Sequence, residues 1–392
     1  MMLRVALIGN MNNNFFAFTR FLRDRNIEAE FLLFDGDFDH FSPSADTYSF
    51  DFQQYVKLLD WGTTIYSLYK TPREKIIEDL AMYDVYIGCG LAPAFFYKAG
   101  LTLDIFVPYG GDIWTETQWS KSIFSKFGIL KNYSAYHQRK GINLAKIIHM
   151  SLTNDIYEKQ IKKIAPKVER WKDGLPMVYS PQYSAESIGR NHLKTHWHEE
   201  FYKLRESNEL LVISHMRHVW GDASNPSAKG NDILIKGWKR FCDRNQNLTA
   251  KLLLLEFGPD VVKSKKLVSE LELDNKVVFL PKMLRKDLFV GLIESDVVLG
   301  EFANSWCGSG VLYEGLVADK PIIAYRDESL YEGVDLYPIL NANCAETICS
   351  SLEQIASRNF SLTGLSGKHW YEDQVVKPSM DKYCSYFKEK SA

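Results

Sequence analysis

The chain has 392 residues, with 47 Lys and Arg against 49 Asp and Glu, a formal charge of −2. Hydrophobic residues make up 46%, aromatics 14% and charged residues 24%, a globular composition that excludes disorder and fibrous repeats. The near-zero charge argues against a general nucleic-acid binder, and no apolar run approaches the roughly 18 residues of a transmembrane helix.

The length fits two domains. Leu3–Gly9 is a short apolar run ended by glycine and predicts a buried parallel strand. A helix over Phe15–Arg25 and a strand over Glu28–Phe34 complete a β-loop-α-β opening. No signal peptide is expected, because the chain enters this strand at once. A helix at Arg73–Ala81, strands at Val85–Cys89, Ile105–Pro108 and Ile147–Met150, and a helix at Asp155–Ile164 follow. Pro176–Pro181 reads as a connector. A second alternation then runs through strands Leu211–Ser214, Lys251–Phe257, Lys276–Leu280, Val297–Gly300 and Pro321–Tyr325. Helices at Asp232–Arg244, Val262–Leu271, Arg285–Ile293 and Gly310–Ala318 separate them. Six scattered cysteines contain no C-x-x-C pair, which fits reduced cytosolic thiols better than a zinc ribbon. Tandem parallel sheets place ligands at strand C-terminal ends, so the crevice between the domains is the expected site.

Four loops at such ends carry candidate chemistry. Trp306-Cys307-Gly308-Ser309-Gly310 opens a helix, where small residues and the helix N-terminus suit a diphosphate; Glu314, one turn in, suits ribose hydroxyls. A tight turn without a ligand fits the same spacing equally well. His215-Met216-Arg217, and Lys229 before a helix, supply fixed positive charge for a departing diphosphate, or are ordinary surface cations. Gly9-Asn10-Met11-Asn12-Asn13 offers amides to sugar or phosphate, or caps a helix. In Tyr109-Gly110-Gly111-Asp112, the carboxylate either binds an acceptor hydroxyl or caps a turn.

The Arg217…Lys229-Gly-Asn-Asp element and the segment GSGVLYEGLVADKPIIA resemble a GT-B glycosyltransferase, most nearly of the retaining family-4 type. The resemblance covers most of the chain and is more specific in its C-terminal half. It implies an α/β fold of two Rossmann-like domains facing across a cleft. They would be an acceptor-side domain over 1–180 and a nucleotide-sugar domain over 181–367, with a helical segment 368–392 packing back on the first. By the same resemblance Arg217 and Lys229 hold the donor diphosphate, Glu314 binds ribose, and amides of Gly308, Ser309, Gly310 and Val311 meet the phosphates. His215 joins this donor set. Pro281, Lys282 and Met283 read the base, and Gly9, Asn10 and Asn13 face donor phosphates and acceptor. Trp306 stands where the family's first E-x7-E glutamate belongs, so the sugar contact is altered, with Glu301 nearby but out of register. The stretch between Arg217 and Lys229 is also longer than usual in the family.

The activity implied is sugar transfer from a nucleotide diphosphate sugar, most simply UDP-linked, to a hydroxyl of a glycan, lipid-linked or protein-linked acceptor. Such a hexosyltransferase would serve surface polysaccharide or other glycoconjugate synthesis. Arg217 and Lys229 stabilise the leaving group, Asp112 contacts the acceptor, and no metal or other cofactor is required. A nucleotide-sugar 2-epimerase of the same fold and a non-catalytic two-lobed binding protein are the alternatives. Asp35-Gly36-Asp37 is a D-x-D of the kind that holds Mn or Mg, and His192-x3-His196-x-His198 has zinc-like spacing. Both read more simply as solvated polar loops. Residues 120–172 carry twelve Lys or Arg against three Asp or Glu, interleaved with aromatics. That pattern suits a peripheral contact with anionic lipid at the cytoplasmic membrane face, or a solvated helix pair; no nucleic-acid module is evident.

Overall fold

The computed structural model describes residues 3–36, 41–122, 124–150, 155–183, 195–222, 225, 227–305, 308–331, 333–357 and 366–391. Asp37, His192, Trp306 and Cys307 lie outside the described residues. Two units divide the chain: Met1–Tyr179 with Val375–Ala392, and Ser180–Gln374.

The first unit is built on seven strands: β1 (Arg4–Ile8), β2 (Glu28–Asp35), β3 (Val56–Gly62), β4 (Val85–Gly88), β5 (Ile105–Phe106), β6 (Ile147–His149) and β7 (Glu169–Trp171). They pair in the order β3-β2-β1-β4-β5-β6-β7, all parallel. Helices cover the sheet, so β1 is buried almost throughout and reads as an apolar run. Phe34, Trp61, Leu68 and Phe95 belong to one core cluster, with Trp61 and Phe95 ring centroids 4.6 Å apart. The edge strand β3 leaves Lys57, Leu58 and Asp60 exposed, which hides it from an apolar-run reading.

The C-terminal helix Lys377–Ser391 belongs to this first unit. Tyr383 is fully buried, its ring edge-on to Phe18 at 4.6 Å and its hydroxyl 2.8 Å from His149 Nδ1. His149 Nε2 lies 3.1 Å from the Asp173 carbonyl, so Nε2 carries the proton and Nδ1 accepts from Tyr383. Burial holds the His149 imidazole down to about 4, neutral at physiological pH. Asp104 accepts from Lys146, Tyr386 and Lys390, fastening the far end of the helix.

The second unit carries β8 (Leu210–Ser214), β9 (Ala250–Glu256), β10 (Val277–Pro281), β11 (Val297–Leu299), β12 (Ile322–Ala324) and β13 (Leu340–Asn341). Their order is β10-β9-β8-β11-β12-β13, again wholly parallel. Trp238, Phe241, Leu252 and Leu254 belong to its core. The expected alternation is present, with β13 added as a sixth strand too short to leave a pattern. Among the described residues, no helix is long and apolar enough to cross a membrane.

Candidate donor site

In the second unit, buried His215 and Glu301 stand at the C-terminal ends of the neighbouring strands β8 and β11. His215 follows β8; Gly300 and Glu301 follow β11. Ser214 Oγ donates to the Leu299 carbonyl at 2.9 Å and locks the two strand ends together. Glu314 rises from the helix Gly310–Val317, which begins beyond the β11 loop.

Glu314 holds two partners. His215 Nε2 donates to Oε2 at 2.8 Å and Arg285 Nε to Oε1 at 2.7 Å. All three side chains are buried to within a tenth of their surface. Burial opposes ionisation of Glu314, but the Arg285 charge and the His215 contact outweigh it and hold the carboxyl below its ordinary value. Arg285 opens the helix Arg285–Glu294 just past β10. It was absent from the sequence-derived site, although Pro281, Lys282 and Met283 immediately before it were included. Its only sequence signal is position, a cation at a strand C-terminal end.

A second ion pair lies beside the first. Lys229 Nζ donates to Glu301 Oε1 at 2.6 Å. The main chain aligns them: Phe302 N donates to the Lys229 carbonyl at 2.8 Å, and Tyr325 N to the Glu301 carbonyl at 2.8 Å. Gly230 has φ +77°, and an added Cβ would come within 3.0 Å of the Ala303 nitrogen, so glycine permits this close approach. Glu301, out of register with the family motif, is thus a partner of the expected diphosphate lysine.

At the mouth of the helix, Ser309 is the cap residue; its carbonyl takes Tyr313 N at 3.0 Å and its Oγ lies 3.4 Å from Leu312 N. Gly308, Ser309, Gly310 and Val311 are half-buried, and an added Cβ at Gly310 would meet nothing within 4 Å. A helix N-terminus is a charge environment that favours an anion.

The remaining expected residues stand as follows. Arg217 is exposed, two residues beyond His215. Pro281 and Lys282 are exposed at the end of β10, Met283 is buried, and Lys282 Nζ sits 4.7 Å over the Phe257 ring. In the first unit, Gly9 (φ +81°) leads to Asn10, whose Nδ2 donates to Asn13 Oδ1 and the Phe41 carbonyl; Asn13 Nδ2 donates to the Ser42 carbonyl. These amides tie the β1 loop to residues 41–42. Asp112 is fully buried and accepts from Gly90 N at 3.2 Å, Tyr109 N at 3.1 Å and Gly110 N at 3.0 Å. Burial pushes its carboxyl up to about 7 against these three donors. Its oxygens fasten the loop after β5 to the loop after β4. Asp35 ends β2, and His196 precedes the helix Trp197–Glu206. Among the described residues, no group of three or more His, Cys, Asp or Glu could hold a metal ion.

No protein-family model matches the chain, and no curated protein is matched. Solved structures do resemble it over nearly its whole length. HepE of Anabaena, solved in complex with UDP-glucose, superposes with a TM-score of 0.61 at 13% identity, covering 99% of this chain and 100% of the other. Sucrose-phosphate synthase of Thermosynechococcus elongatus gives 0.61 at 12% identity, covering 99% and 98%. This chain has the GT-B fold. A UDP-GlcNAc 2-epimerase of Methanocaldococcus jannaschii also matches, with a TM-score of 0.56 at 11% identity over 98% and 100%. GT-B chains of both kinds therefore share this architecture, and at such identities the likeness is one of fold.

Proposed function

We propose that the protein is a glycosyltransferase that moves a sugar from a UDP-linked donor to a hydroxyl of a glycan, lipid-linked or protein-linked acceptor, with retention of configuration, in surface glycoconjugate synthesis. The observation that carries this reading is the pair of buried side-chain groups, His215–Glu314–Arg285 and Lys229–Glu301, the first anchored on helix Gly310–Val317. Such an arrangement presents fixed donors where diphosphate charge develops, without solvent reorganisation. HepE binding UDP-glucose on the same fold supports a UDP-sugar donor.

In this reading Lys229, Arg217 and the amides of 308–311 stabilise the departing UDP. Glu314, held by His215 and Arg285, accepts from the ribose. The residues Pro281–Met283 line the base, and Gly9, Asn10 and Asn13 serve the acceptor side. The sugar C1–oxygen bond to the diphosphate breaks while the acceptor oxygen bonds to C1, and the acceptor proton passes to the departing diphosphate oxygen. Cations and a helix mouth supply the electrostatics, so no metal is required. Asp112 acts through its loop, because its carboxylate is occupied by main-chain donors.

A specific observation favours one second reading. A 2-epimerase needs a histidine and carboxylates together, and His215, Glu314 and Glu301 supply that set at adjacent strand ends. Incubation with UDP-glucose and UDP-GlcNAc separates the two. Release of free UDP, accelerated by acceptor, marks the transferase. Interconversion of the sugar with its UDP retained marks the epimerase, and a thermal shift with neither reaction marks a binding protein.

A further inference from the structure

The helix Lys126–Leu144 of the first unit is built inside out. Its buried residues are Gly128, Ser134, Ala135, Gln138, Gly141 and Ile142, mostly small or polar. Phe127, Ile129, Tyr136 and Leu144 are instead exposed to solvent. An ordinary surface helix shows the reverse. Gln138 explains the polar interior, since its amide meets Ala94 N and the Gly90 and Asp112 carbonyls. Phe124, just before the helix, is 92% exposed and Phe127 67%.

Neighbouring aromatics extend this face. Tyr69 of helix Ile65–Lys70 meets Tyr133 edge-on at 5.9 Å, and the Tyr97 and Tyr136 hydroxyls are 3.2 Å apart. Lys70 and Lys126 converge on Tyr66 and pull its hydroxyl below the ordinary value. The sequence of this helix and its approach carries charge of one sign. Between Glu116 and Asp155 there is no Asp or Glu, while six Lys or Arg occur. Lys131 and Lys146 are neutralised by Glu116 and Asp104, which leaves Lys121, Lys126 and Lys140 exposed and Arg139 half-buried.

We propose that this face, centred on Phe124, Phe127 and Ile129 and rimmed by Lys70, Lys121, Lys126 and Lys140, docks on the surface of an anionic lipid bilayer. A bilayer satisfies both halves of the pattern. Lysine heads meet anionic headgroups while rings enter the acyl boundary. A nucleic-acid duplex or a wholly acidic protein surface would match the lysines and leave the phenylalanines in water. A second copy placed by two-fold symmetry would set like charges against each other. The proposal does not rest on the transferase reading, because docking needs no reaction.

The test is sedimentation of the full chain with phosphatidylglycerol vesicles and with phosphatidylcholine vesicles, at low and high salt. The expected result is binding to phosphatidylglycerol at least about tenfold tighter than to phosphatidylcholine, weakened by salt. F124S/F127S should lower that binding at least about tenfold, and K121E/K126E should remove the lipid preference, with thermal unfolding unchanged in both. If the double Phe variant does not fold, F124S alone must still weaken binding. Failure to sediment with either vesicle overturns the proposal, as does undiminished binding by the Phe variants. So does a concentration-dependent dimer, or single-stranded RNA binding, that the same substitutions abolish without any vesicle binding by the parent chain.

Discussion

His215 Nε2 lies 2.8 Å from Glu314 Oε2, across 99 positions of sequence. The contact joins the end of β8 to the helix beyond β11, and Arg285 closes the group from the end of β10. Three separated loops are thereby held by one carboxylate.

Glu314→Gln keeps the side-chain size and removes the charge that both partners need. Breaking a buried ion group this way costs about 3–5 kcal/mol, since unpaired charge is left behind. The variant should melt lower and bind UDP at least about tenfold more weakly, by calorimetric titration. Unchanged UDP affinity would remove Glu314 from the nucleotide site.

Lys229 and Glu301 allow stability to be separated from function. Lys229→Met alone strands a buried carboxylate and should destabilise by about 3–5 kcal/mol. The double variant Lys229→Met/Glu301→Leu should recover much of that, because an apolar pair replaces the ionic one. Its UDP release should stay down by about 10²–10³, the scale of a lost transition-state donor. Restored turnover in the double variant would exclude Lys229 from leaving-group stabilisation.

Two buried carboxyls set opposite pH slopes. Glu314 is held below its ordinary 4.5, so its stabilising contribution is complete above that pH and lost as pH falls through the lower folded value. Asp112 is raised from 3.8 to about 7, so the folded state keeps its proton longer and stability declines as pH rises across that interval. Urea unfolding across this range should show a flatter slope above pH 4 for Asp112→Asn and a flatter acid limb for Glu314→Gln. A parental slope in either variant would contradict the corresponding assignment.

Within the first unit, packing gives two stability predictions. Tyr383→Phe loses the His149 hydrogen bond and should cost about 1 kcal/mol in denaturant unfolding. Gly141→Ala would place a Cβ 1.9 Å from the Pro93 carbonyl oxygen, forcing helix Lys126–Leu144 away from helix Ala92–Ala99. About 1–3 kcal/mol of destabilisation is expected from that overpacking. A neutral Gly141→Ala would show that the two helices separate freely.

Buried parallel strands were legible because both faces are covered, which makes runs such as Val297–Leu299 apolar without interruption. β3 was not, since an edge strand exposes Lys57, Leu58 and Asp60. The two-residue β13 was too short for any period to register. Within the candidate site, Lys229, His215, Glu314 and the 308–311 loop are legible as polar or small residues at strand ends or the helix that follows. Their partners were not. Arg285 looks like any cation opening a helix, and Glu301 looked like a motif residue out of place.

Local composition alone decided two α/β alternations and the loops at their strand ends, because strand burial and helix starts leave their mark within a few residues. The tertiary structure decided who pairs with whom. The strand order β10-β9-β8-β11 brings residues 215, 285 and 314 together, and a carboxylate's partners follow from distance in space, to which spacing along the chain is blind. It also decided which face of helix Lys126–Leu144 is buried, because Gln138 and Gly141 fit the tight main chain of the neighbouring loops and bulkier apolar residues do not.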